Sequence, residues 1–143
     1  MSVGAVLLPV FVQVALTFAL LVRGGLARVA SVRAGETKLE DIALREPNWP
    51  IFVTKVGNAY QNQLEMPVLF YVLVALAMIT RQTDLIFVVM SWIFVVARLA
   101  HAAIHVTAND VVRRLQAFSV AALILAAMWL IFAIRILTLS GGG

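Results

Sequence analysis

Cysteine is absent from the chain, which excludes disulfides, thiolate nucleophiles and cysteine-held metals. Charge is scarce: 13% of residues are charged, against roughly 25% in an average soluble domain. No internal repeat and no low-complexity segment interrupts the sequence. The basic residues, which give a net charge of +4, are spread among connecting segments rather than clustered with aromatics on one element. A nucleic-acid partner is therefore not expected, and membrane topology explains the basic residues better. What is present is apolar: 63% of the residues are hydrophobic and the mean hydropathy is +1.01. A chain of 143 residues fits one domain.

Four charge-poor stretches dominate. Residues 2–22 carry no charge and are long enough to cross a hydrocarbon core of about 30 Å at roughly 1.5 Å per residue. A signal peptide fits them poorly, because no basic segment precedes the run and Arg23 follows it directly. Pro9 is a point of bending there, and Gln13 is a lone polar group expected to face a neighbouring helix. The other spans cover residues 50–80, 85–106 and 115–137. Arg81-Gln82-Thr83-Asp84 is so short a link that the second and third helices form an antiparallel hairpin.

Residues 23–49 form the one long polar connection. Leu39, Ile42 and Ala43 supply the apolar side of a short surface helix, which Glu46-Pro47-Asn48-Trp49-Pro50 then breaks. Asn48 is the expected N-cap of the second helix, with Pro50 in its first turn and Trp49 at the membrane interface. Gly141 to Gly143 carry no information about the fold. Arg23, Arg28, Arg33, Lys38 and Arg45 lie in the first connection, and Arg113 and Arg114 at the third. The opposite side has only Arg81 and Arg135. The positive-inside rule places the long loop in the cytoplasm. The expected fold is all-α: an integral membrane four-helix antiparallel bundle.

Polar groups inside the second and third spans carry the functional signal. Lys55, Asn58, Asn62 and Glu65 recur at i, i+3, i+7 and i+10, so they share one helix face. Arg98, His101 and His105 recur at i, i+3 and i+7. Counting from Gln82, Glu65 stands 17 residues before and Arg98 16 after; Asn62 and His101 stand at 20 and 19, Asn58 and His105 at 24 and 23. The two stripes lie at matching depth. A group of this kind facing lipid costs about 2.5–3.5 kcal/mol on insertion scales, so the stripes should face protein or water. Two readings follow: a structural clasp built on a Glu65–Arg98 ion pair, or a ligand site completed by Arg113 or Arg114. A metal held by His101, His105 and Glu65 is disfavoured by Arg98 one turn away. A transport path is disfavoured because the helices read as unbroken.

Asn62-x-x-Glu65 with Pro67 and an aromatic-rich run, then Arg98-x-x-His101, then a basic pair opening the last helix, resembles the MAPEG family, the membrane-associated proteins of eicosanoid and glutathione metabolism. The resemblance covers the whole chain and is closest to bacterial-type members, which implies an inner-membrane location. It also implies a homotrimer in which glutathione lies between adjacent subunits. Asn62 and Glu65 match the family's glutathione-contacting amide and carboxylate, Arg98 the arginine of helix three, and Arg114 the arginine that stabilises the thiolate. Two positions depart. Asn58 stands where an arginine is usual, and His105 where a tyrosine is usual. The loss of that arginine removes a charge-assisted, bidentate contact. The resulting expectation is a glutathione-dependent transferase or peroxidase acting on a lipophilic electrophile. Catalysis would rest on Arg114, with Asn58, Asn62, Glu65, Arg98, His101, His105 and Arg113 around the bound thiol. The alternative is a non-catalytic protein that binds lipid or a partner and uses the polar set as a clasp.

Overall fold

The computed structural model describes residues 1–44 and 47–140; Arg45, Glu46 and Gly141–Gly143, named above in the loop and the tail, lie outside the described residues. Five α-helices follow in order: α1 (Val3–Arg33), α2 (Ile51–Gln63), α3 (Met66–Ile79), α4 (Leu85–Val106) and α5 (Val111–Ser140). Helices α2 and α3 continue one another as a single span, so among the described residues four segments are long and apolar enough to cross a membrane. This is the all-helical, four-span bundle that the hydropathy pattern predicts.

Each helix end has a local cause. The Ser2 hydroxyl accepts from the Ala5 N–H and caps α1. That helix does not stop at Val22, where the apolar run ends, but continues through Arg33 because nothing between them breaks it. It ends where Gly35 takes φ +75°, with Glu36 N–H on the Ser31 carbonyl and Gly35 N–H on that of Val32. The predicted surface helix shrinks to one 3-10 turn, Leu39–Ile42, with no buried residue to anchor it. Asn48 does not cap α2; its amide donates instead to the Asp41 carbonyl at 2.6 Å, and α2 begins directly after Pro50. The α3–α4 turn closes the same way as the end of α1, although its positive-φ residue is Arg81 (φ 56°) rather than glycine.

Asp84 then caps α4, accepting from the Phe87 N–H at 2.8 Å. Its other oxygen takes Arg135 from α5 at 2.6 Å, closing the short-turn end of the bundle. The Arg135 contact, and next the Phe87 N–H, hold the Asp84 carboxyl below the usual carboxylate range.

Helix α4 packs along α5 and also reaches α1 and α2. The main core lies toward the short-turn end, built from Phe70, Leu73, Phe94, Val95, Ala121 and Leu125 among others. A smaller cluster of Leu20, Ala59 and Ala102 lies between α1, α2 and α4. Between the two clusters sits a layer of buried polar side chains.

Candidate functional site

Pro67 is where that polar layer begins. A proline inside a helix lacks an N–H and crowds the carbonyl four residues back, here that of Gln63. Accordingly α2 ends at Gln63 and α3 starts at Met66, with Glu65 between them at φ −97°, ψ −101°. The unbroken helix expected over residues 50–80 is thus two helices, and a transport path can no longer be set aside on continuity alone. A break at this depth frees backbone carbonyls that lipid cannot satisfy.

Arg98 supplies the missing donor. Its Nη2 donates to the Asn62 carbonyl at 3.0 Å, to Asn62 Oδ1 at 2.7 Å and to Gln63 Oε1 at 3.2 Å. A cation at the C-terminal end of α2 also suits that helix's dipole. Arg98 is 0% exposed. Its Nε and Nη1 meet no hydrogen-bond partner. Gln63 is equally enclosed; its Oε1 accepts from Gln13 Nε2 at 2.9 Å, and its own amide donates to the Ala59 carbonyl at 3.0 Å.

The expected Glu65–Arg98 ion pair is not made. Among the described residues the ion pairs are Arg113–Asp110 and Arg135–Asp84. Asn62 stands between them, giving its carbonyl and Oδ1 to Arg98 and its Nδ2 to Glu65 Oε2 at 3.4 Å. The break accounts for this: Glu65 leaves the α2 face and turns outward, where it is exposed. Arg98 thus meets Asn62, one turn along α2 from the Glu65 that equal depth assigns to it, and the Asn62 amide stands between the two charges.

The remaining stripe residues separate by environment. Asn58 is exposed on α2, and Lys55 reaches the Thr107 carbonyl at 3.1 Å, tying α2 to the end of α4. His101 and His105 are 3% and 7% exposed, their rings edge to face at 5.7 Å, with Phe118 5.9 Å from His101. Neither Nδ1 has a partner. Arg113 and Arg114 point apart. Arg113 is exposed beside Asp110, whereas Arg114 is half-buried, donates to Asn109 Oδ1 at 2.6 Å, and stands one turn before Phe118, the ring next to His101.

Two groups thus emerge around the long-loop half of the bundle. Asn58, Asn62 and Glu65 form an outward polar face, held from behind by Arg98. His101, His105 and Arg114 form a second group where α4 meets α5. Sequence reasoning missed Gln63, which sits one residue off the Asn62 stripe and so points roughly 100° away. Gln13 does face a neighbouring helix, as expected, and its partner is Gln63. The one sequence signal for the break was Pro67, four residues after Gln63.

A model of the MAPEG family matches residues 6–134. The chain belongs to the MAPEG family. No curated protein and no solved structure matches it. The match runs from the second turn of α1 into the last turns of α5, so it takes in every residue of both polar groups. Four apolar spans and MAPEG membership together make this an integral membrane protein.

Proposed function

We propose that this MAPEG protein binds glutathione on the Asn58–Asn62–Glu65 face and directs its thiolate at lipophilic electrophiles arriving from the bilayer, as a transferase or peroxidase. The observation that carries the reading is the Asn62–Glu65 pair: an amide and a carboxylate held together at a helix break, exposed on one side and anchored by a buried arginine on the other. The donor set suits the ligand. Glu65 has no ion-pair partner among the described residues and matches an ammonium group, while the Asn58 and Asn62 amides match peptide and carboxylate oxygens.

Arg114 is the group assigned to the sulfur. A guanidinium beside a thiol favours the thiolate, which is the nucleophile. One turn beyond it, Ala117 joins Trp92, Ile93, Val96, Ala100 and Val120 around an outward-facing apolar groove of about 560 Å³, a berth for a lipophilic molecule. The outward polar face belongs to α2, which packs on α1, α4 and α3, and Arg114 belongs to α5, which packs on α4 and α3. The reading therefore includes a homotrimer, in which the face of one subunit meets the Arg114 edge of the next. The long loop is assigned to the cytoplasmic side of a bacterial inner membrane.

A second reading has its own support. Arg98, His101 and His105 are enclosed within the subunit, as an internal clasp requires. A non-catalytic lipid- or partner-binding protein would need no more than that.

One set of measurements separates the two. Wild-type protein titrated with glutathione should show thiolate absorbance and turn over a chromogenic electrophile, and native mass measurement in mild detergent should give a trimer. Arg114→Ala should lower turnover about a hundred- to thousandfold, the usual loss on removing one preorganised donor. Arg113→Ala should do far less, since that side chain is exposed and engaged with Asp110. No thiolate signal and no turnover in wild type would leave the clasp as the function of the polar set.

A further inference from the structure

The interior amides Gln13 and Gln63 take no part in the outward face, yet they are more completely enclosed than most of the apolar core. Gln13 is 0% exposed and Gln63 1%, beside Arg98 at 0%. Three helices contribute one side chain each, and all meet at one atom. Gln63 Oε1 accepts from Gln13 Nε2 of α1 at 2.9 Å and from Arg98 Nη2 of α4 at 3.2 Å. Gln63 is the last residue of α2, directly at the break.

We propose that Gln13 and Gln63 are positioning residues: with Arg98 they lock the α2–α3 break and thereby fix Asn62 and Glu65 as an outward amide–carboxylate pair. The inference rests on the glutathione reading for what the pair does, but not for the lock itself.

The physical case starts from Arg98. Its Nη2 carries two hydrogens and faces three acceptors: the Asn62 carbonyl, Asn62 Oδ1 and Gln63 Oε1. Its orientation therefore depends on Gln63 as well as on Asn62. Gln63 in turn is held at both ends of its amide, Nε2 on the Ala59 carbonyl and Oε1 on Gln13. Gln13 is seated on a helix that runs unbroken from Val3 to Arg33 and sets the reference for the rest. The chain of contacts thus passes from α1 through Gln63 to Arg98, from Arg98 to Asn62, and from Asn62 Nδ2 to Glu65. A break in a helix has more backbone freedom than its interior, since the bonds that would fix it are missing. Side chains from two neighbouring helices remove that freedom here. Hydrogen bonds made in such an enclosed layer are strong, and leaving one partner unmet is correspondingly costly.

The test uses the full-length protein in detergent and two measurements. The first is amide hydrogen exchange over residues 61–68, with α5 amides as the internal control for overall stability. Gln13→Leu, which keeps the volume and removes the donor, should speed exchange in that segment about tenfold with α5 unchanged, the change one buried hydrogen bond commonly makes. Gln63→Leu should do more. Gln63→Glu, which keeps an oxygen for both donors but cannot donate to the Ala59 carbonyl, should bring exchange part of the way back from Gln63→Leu toward the wild-type rate. The second measurement is glutathione conjugation, where Gln13→Leu should raise KM several-fold at nearly constant kcat.

Faster exchange spread evenly over all helices would overturn the lock in favour of general loosening. So would unchanged exchange, or no recovery in Gln63→Glu. Local exchange with a KM that stays fixed while Asn62→Ala raises it would overturn the claim that the lock sets the pair. If wild type binds no glutathione, the function proposed above fails, and exchange alone decides whether the lock exists.

Discussion

A buried guanidinium without a carboxylate in contact is costly to place between helices, and Arg98 offsets that cost with a carbonyl and two amide oxygens. The coupling partner of Arg98 is therefore Asn62, not Glu65. In a thermal-stability cycle, Asn62→Ala with Arg98→Lys should show an interaction energy of about 1–3 kcal/mol, within the range for residues in direct contact. Glu65→Gln with Arg98→Lys should come close to additivity, within about 0.5 kcal/mol. A larger value for the Glu65 cycle would restore the ion pair that the sequence suggests. Lysine is not a neutral change here, since an ammonium is more strongly hydrated than a guanidinium and costs more to enclose. The depth count from Gln82 set Arg98 opposite Glu65 and Asn62 opposite His101, so it placed Arg98 about one turn from the Asn62 it meets. It could not reveal that the stripe turns at the break, because counting along an ideal helix carries no information about where the helix stops being ideal.

At the scale of elements, the ends of helices were less legible than their existence. Four spans follow from hydropathy alone, whereas the true end of α1 is set by Gly35, twelve residues beyond Arg23, where the polar connection was expected to begin. Charged residues do not end a helix, and Arg, Ala, Leu and Val between Arg23 and Arg33 all tolerate one. Pro67 is the converse case: its position after Glu65 and Met66 carries the break, but prolines in membrane spans are common enough that an interruption need not follow. The Asp84 junction allows a direct check. Its carboxyl lies below the usual range in the folded protein, held there by Arg135 and then by the Phe87 N–H. The stabilisation is fully present above the unfolded carboxyl pKa of about 4 and is lost as pH falls through the folded value. Because the Asp84 side chain is 44% exposed, solvent screening limits the pair to about 1 kcal/mol or less. Asp84→Asn should remove that acid-side slope while keeping the cap. Asp84→Ala should cost about 1 kcal/mol more, the usual loss of an N-cap. Thermal melts at pH 3 and pH 7 check both.

For the whole molecule, the four-span arrangement puts the Leu39–Ile42 turn and the α3–α4 turn at opposite ends. Single cysteines at Lys38 and Gln82 should label from opposite sides of the membrane, Lys38 from the cytoplasm if the loop charge sets orientation. Labelling of both from one side would end the arrangement. Ser31, within the polar connection expected over residues 23–49, is a poor reporter because it is 4% exposed and bonded to Thr37 at 2.8 Å. The alanines of α5 carry a similar lesson. Ala121, a small residue in a membrane span, is 0% exposed and lies in the core of its own subunit. Small residues permit close approach; which neighbour they approach is decided by packing that periodicity does not encode.

The helix break also bears on how the chain enters a bilayer. Arg98 finds its acceptors on Asn62 and Gln63, which exist in the right place only once α2 has been delivered and has stopped short of α3. Helices α4 and α5 inserted without it would hold a guanidinium among lipid tails, at about 2.5–3.5 kcal/mol on insertion scales. A chain beginning at Thr80 should therefore insert poorly by itself and improve when residues 1–79 are supplied as a separate polypeptide. Arg98→Leu should insert well either way. Biogenesis of this protein is then ordered by one side chain: the second half of the molecule is synthesised last but can settle only against the first.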